Sequence, residues 1–120
     1  MRTIKLTKVS RKHIEILQEE IYNYAQGFKE HLKRPENHSV YLYSIAQADI
    51  ASNLWYLLRK KIESDKNVQS FSLPASEAIV LLNACANASL LSADKYVANV
   101  TEIYKNEIDQ QLKSIIIPII

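Results

Sequence analysis

Residues 74–91, PASEAIVLLNACANASLL, are the most apolar run long enough to be a helix, and they constrain the fold more than any other stretch. Residues 78–82 are all apolar, and beyond them only Asn83 and Asn87 interrupt the small residues Ala84, Cys85, Ala86 and Ala88. A helix of this composition must be buried on every face but one. Its small side chains let neighbouring helices come close, so it is expected to be the central and most buried helix, with Leu82 in the core.

The rest of the chain is nearly free of helix breakers, with one glycine and three prolines in 120 residues. That balance favours long helices over a turn-rich sheet. Ser10 is a suitable N-cap, and after it Ile14, Leu17, Ile21, Tyr24, Phe28 and Leu32 recur at spacings of three and four, predicting a first helix over 11–33. Gly27, inside that helix, is read as a point of close approach of another backbone. Residues 34–39 form a loop, because Pro35 disfavours helix at Arg34 and Ser39 can cap the next helix. This second helix is predicted over 40–64, with a wide apolar stripe of Leu42, Ile45, Ala46, Ile50, Leu54, Leu57, Leu58 and Ile62. Trp55 and Tyr41 border the stripe, while Asp49, Asn53, Tyr56 and Lys60 fall on the opposite, wet face. The helix that starts near Pro74 is expected to break at 89–92, with Ser92 capping a last helix along Tyr96, Val97, Val100, Ile103, Tyr104, Ile108 and Leu112.

Two short segments alternate in polarity, 2–7 with Ile4 and Leu6 on one side and 69–73 with Phe71 and Leu73. Each stands before a helix, although the spacings do not match as a repeat. The expected fold is all-α, a four-helix bundle or close variant with short extended segments at 2–7 and 69–73, in a single helical domain over 1–120. A chain of this length removes about 65% of its unfolded surface from water, so neither a metal nor a disulfide is needed to hold it. The lone cysteine, Cys85, is expected to be a buried inert thiol in a reducing compartment. No run approaches the ~20 apolar residues of a membrane span, and the start MRTIKLTKVSRK has no apolar core of signal-peptide length. A cytoplasmic protein with no membrane contact is expected, and its abundant Ile, Lys, Asn and Tyr suit an A+T-rich bacterial or phage genome.

Catalytic chemistry finds little material. None of His13, His31 and His38 has a sequence context that pairs it with Cys85 or a serine. Glu30, His31, Glu36 and His38 cluster around the first loop, but their spacing matches no zinc pattern and lacks the Glu-x-x-His pair of di-iron bundles. No cofactor, metal or enzyme activity is expected. The triplets at Asn37, Asn87 and Asn99 are chance matches to a glycosylation signal that would matter only in a secreted chain. The stretch 47–51 superficially resembles the first helix of a helix-turn-helix, yet no breaker comes after it.

Three features remain. Arg2, Lys5, Lys8, Arg11 and Lys12 form a basic N-terminal cluster with no acid before Glu15, partly beside the positive end of the first helix, and this invites an anionic partner. The net charge of +2 is nevertheless too small to make nucleic acid the principal partner. Asn83 and Asn87, one turn apart in the most apolar helix, must meet water, neighbours or a ligand. The tail IIIPII carries five isoleucines in six residues and needs cover. The expected function is therefore non-enzymatic protein–protein interaction, as an adaptor or inhibitor of the kind phages and mobile elements encode. Self-association as a dimer is expected, with Ile115, Ile116, Ile117, Trp55 and Tyr56 near the contact. The alternatives are an oligomeric binder of a small polar ligand such as a nucleotide, through Asn83 and Asn87, and a weak nucleic-acid binder through the basic N-terminus.

Overall fold

The structure, a computed structural model, describes residues 3–115. Along the chain run β1 (Thr3–Ser10), α1 (Arg11–Gln26), α2 (Lys29–Leu32), α3 (His38–Glu63), β2 (Val68–Pro74), α4 (Ala75–Leu91) and α5 (Lys95–Leu112). The fold is mostly helical, but it is not clearly a four-helix bundle: among the described residues five helices accompany a two-stranded antiparallel sheet. The two extended segments are partners, with Ile4 opposite Leu73 and Leu6 opposite Phe71. Both strands run straight into a helix, so the order strand, helix, helix is traversed twice, with α2 as an insertion in the first half.

Alternation makes one face of the ribbon apolar. Ile4, Leu6, Val9, Phe71 and Leu73 are buried beneath α1, α4 and α5, and they share one core with Ile14, Leu17 and Ile21 of α1, Leu54 and Leu58 of α3, and Val100 and Ile108 of α5. The register slips once. Thr7 and Lys8 together stand opposite Ser70, and Lys8 takes φ 52°, in the left-handed region that residues with a Cβ seldom occupy. This bulge lets Val9 point inward again after Leu6 while Thr7 and Lys8 both stay outside.

α4 holds the centre. Ala78, Val80, Leu81, Ala84, Cys85 and Ala88 are buried, more than in any other helix, and α1, α3 and α5 all pack against it. Leu81, not Leu82, is its fully buried leucine; Leu82 is half-buried at the edge of the core. Leu90 and Leu91, the last two residues of the helix, are each 81% exposed.

Caps explain the observed ends. The Ser10 hydroxyl accepts from the backbone N–H of His13, starting α1 as expected. The first helix does not reach residue 33. It stops at Gly27, which is exposed and caps α1 with φ −62°, so this glycine marks a helix end and no close backbone approach from another element. Ser39 lies inside α3 and caps nothing; Asn37 precedes the helix and its side chain makes no capping bond. The last helix starts from Asp94, whose carboxylate accepts from Tyr96 and Val97 N–H, and Ser92 instead closes α4.

The buried line of α3 also differs from the expected wide stripe. Ser44, Ala51, Leu54 and Leu58, spaced seven, three and four, are buried, whereas Leu42, Ile45 and Ala46 are exposed. α3 packs on α1, α2 and α4; Ile50, Leu57 and Ile62 of the stripe are partly buried against the core, and Leu42, Ile45 and Ala46, turned away from it, stay in water. α3 runs unbroken through 47–51, which removes the helix-turn-helix resemblance. Among the described residues no helix is long and apolar enough to cross a membrane.

Candidate functional site

Between α1 and α3 lies a groove of about 260 Å³ lined by Ile21, Tyr22, Ala25, Ala48, Ala51, Ser52, Trp55 and Tyr56. Its floor is made of small residues at positions where α1 and α3 face each other. Its rim is aromatic: Trp55 and Tyr56 stand edge to face with centroids 5.0 Å apart, and Tyr22 and Tyr56 are exposed. Among the described residues no charged side chain lines it. Ser52 and Tyr56 also belong to a stripe on the outer side of α3, where Leu42, Ile45, Asp49, Ser52 and Tyr56 recur at spacings of three and four and are all exposed.

A second cleft, of about 380 Å³, separates α1 from α4 and is lined by Glu20, Asn23, Tyr24, Ala84, Asn87, Leu91 and Ser92. Asn83 does not line it, but its amide donates to the Tyr24 hydroxyl at 3.5 Å, and that hydroxyl donates to Gln47 Oε1 at 3.1 Å. Burial pushes the Tyr24 phenol up, while the Asn83 bond acts the other way. The asparagine pair is thus split: Asn83 closes a polar link across three helices, and Asn87 faces the cleft.

The basic N-terminal residues are also divided. Lys5 and Lys8 are exposed on the outer face of β1, and exposed Lys12 lies 4.7 Å from the centre of the Tyr96 ring. Arg11 is a structural residue. Its N–H donates to Asn67 O, its guanidinium donates to the carbonyls of Ser64 and Lys66, and its Nε is buried, so it ties the start of α1 to the end of α3. Arg2 lies outside the described residues, as do Ile116 and Ile117; Ile115 is half-buried against the core.

Glu30, His31, Glu36 and His38 are exposed, and no group of three or more metal-binding side chains gathers among the described residues. One titratable contact escaped the sequence entirely. Tyr104 Oη lies 2.7 Å from His13 Nδ1, and burial pushes this phenol up to about 12. The two residues are 91 positions apart, and no local pattern joins them. The outer residues of the ribbon, Thr7, Ser70 and Ser72, were legible only as the polar half of each alternation.

The chain matches no protein-family model, and comparison with curated proteins and with solved structures gave no match.

Proposed function

We propose that the chain works by binding another protein, as an adaptor or inhibitor, with the α3 stripe and the groove beside it as the docking face. The observation that carries this reading is the exposure of Leu42 (49%), Ile45 (41%) and Tyr56 (61%) in one line on a long helix. Large apolar and aromatic side chains aligned on one exposed helix face, with Asp49 and Ser52 between them, suit an interaction surface more than scattered apolar residues do. The occupant best suited is an amphipathic helix of a partner. Ala25, Ala48, Ala51 and Ser52 leave room for close helix approach, and the aromatic rim supplies anchors. Asp49 is the one charged residue within 39–58, and among the described residues it joins no ion pair. It calls for a single basic residue among the partner's apolar anchors.

A second copy suits the stripe less well. Antiparallel packing about Asp49 would set Leu42 against Tyr56 of the copy, but also Asp49 against Asp49, opposing like charges. The proposal of a dimer therefore depends on surface besides this stripe.

The test is photo-crosslinking from position 45 in host cells, followed by binding of the captured partner's helix as a synthetic peptide. Ile45→Glu is expected to weaken the peptide by about tenfold or more. Asp49→Lys is expected to weaken it too, and reversing the peptide's basic residue to Glu is expected to restore binding. Failure of that charge swap removes the helix model. Sedimentation showing a dimer strengthened by Asp49→Asn would assign the stripe to self-association instead.

The α1–α4 cleft favours a second reading, binding of a small polar ligand. Its amides and hydroxyls suit hydroxyl or amine groups, and Glu20, the one charged residue lining it among the described residues, disfavours the phosphates of a nucleotide. Glucosamine is expected to raise the melting temperature saturably, with the effect lost in Glu20→Gln. A rise produced by AMP and not by glucosamine would contradict this assignment.

A further inference from the structure

The outer face of the β1–β2 ribbon is mostly polar and basic, with exposed Val68 and Pro74 at its ends, and neither strand contributes an acid to it. Thr3, Lys5, Thr7 and Lys8 of β1 and Ser70 and Ser72 of β2 are all exposed, and neither strand contains an aspartate or glutamate. Lys12 lies in the first turn of α1, which has no acidic residue to complement the helix dipole, and Lys66 precedes β2. Among the described residues Lys33, Arg59, Lys105 and Lys113 have carboxylate partners, whereas Lys5, Lys8, Lys12 and Lys66 have none. Lys29, Arg34, Lys60, Lys61 and Lys95 also lack one among the described residues, so it is the absence of any acid on the two strands that makes the ribbon locally basic in a chain whose formal charge is only +2.

We propose that this face enters the major groove of double-stranded DNA. That groove is about 12 Å wide and admits a two-stranded ribbon, whose strands lie about 4.8 Å apart before side chains are added. Lysine ammonium groups donate to guanine O6 and N7 or to phosphate, and Ser and Thr hydroxyls both donate and accept at base edges. Buried Ile4, Leu6, Phe71 and Leu73 fix the ribbon on the helices, so the reading face is rigid and presents its groups without prior ordering. The bulge adds to the fit. By placing Thr7 and Lys8 together outside, it gives the face one more outward side chain than regular pairing would, and the Ser70 hydroxyl holds it by accepting from the Lys8 N–H at 3.0 Å. Duplex RNA is the poorer fit, because its major groove is deep and narrow. None of these residues belongs to the α3 stripe, so this inference stands apart from protein docking.

Fluorescence anisotropy with a labelled DNA duplex of about 20 base pairs, roughly two turns, tests it against an RNA duplex of the same sequence. DNA is expected to bind with a strong salt dependence, and RNA more weakly. The double variant K5A/K8A is expected to lose about tenfold or more at low salt and to lower the salt slope by about one for each phosphate contact removed. Lys29→Ala with Lys33→Ala, at the two ends of α2, is expected to change little. Lys8→Gly guards against misfolding as an explanation: glycine accepts the left-handed backbone, so the unfolding midpoint is expected to hold or rise while DNA binding falls. Absence of DNA binding at low salt, equal loss in the α2 variant, or equal binding of RNA would overturn the assignment.

Discussion

Leu81→Ala is expected to destabilise the protein by about 2–5 kcal/mol in denaturant unfolding, with the cost toward the upper part of that range. Leu81 is fully buried in α4, where its neighbours along the helix include Ala78, Ala84 and Cys85. Small side chains cannot swing into the space a leucine leaves, and α1, α3 and α5 are already fixed against this helix, so the cavity stays open. Leu82→Ala is the internal comparison. Leu82 is half-buried, and its truncation is expected to cost clearly less. Equal losses at the two positions would mean that α4 is rotated from the orientation described.

Cys85 is expected to resist thiol reagents until the protein unfolds. It is fully buried, and burial first, then the Glu20 carboxylate, pushes its thiol from 9.0 to about 12. At about pH 8 that shift alone cuts the reactive thiolate by roughly a thousandfold against an ordinary cysteine. Labelling that matches the rate in denaturant would contradict the packing of α4. Tyr104 is raised in the same direction, by burial and then by Tyr96 and Cys85. Both groups ionise at lower pH unfolded than folded. Their contribution to stability is therefore full below the unfolded values near 9 and 10 and is lost as pH rises toward 12. Unfolding midpoints measured across that alkaline range are expected to fall, more steeply in the wild type than in Tyr104→Phe.

How far these features were legible depends on whether they are local. The run from Ala75 to Leu91 showed α4 because composition alone forces its burial, and alternation showed both strands because a period of two needs no knowledge of the partner. The pairing of those strands was not legible, and the bulge at Lys8 arises from it. The α3 stripe reads as core in the sequence because apolar spacing says which residues share a face and not which face finds a neighbour. Ser44, buried in place of Leu42 and Ile45, is the same error seen from the inside. Gly27 failed differently: glycine permits a helix end as readily as a close contact, and spacing alone does not choose between them. Of the residues expected at interfaces, Trp55 and Tyr56 line the α1–α3 groove and Lys5 and Lys8 stand on the outer face of the ribbon, while the guanidinium of Arg11 is tied to backbone carbonyls.

β1 is secured late. One of its edges pairs with β2, and the Lys8–Ser70 bond joins positions 62 apart; the peptide group of Lys5 is clasped by the side chain of Gln111, 106 positions on. That amide both accepts from the Lys5 N–H at 2.9 Å and donates to the Lys5 carbonyl at 2.8 Å, as a neighbouring strand would. During synthesis the apolar side of Ile4, Leu6 and Val9 therefore leaves the ribosome with only α1 following directly, well before β2, α4 and α5 have been made. The order of manufacture leaves this segment without its strand partner until the second half of the chain is made, and the lysines interleaved along it are of the kind that discourages an open edge from pairing with another chain in the meantime.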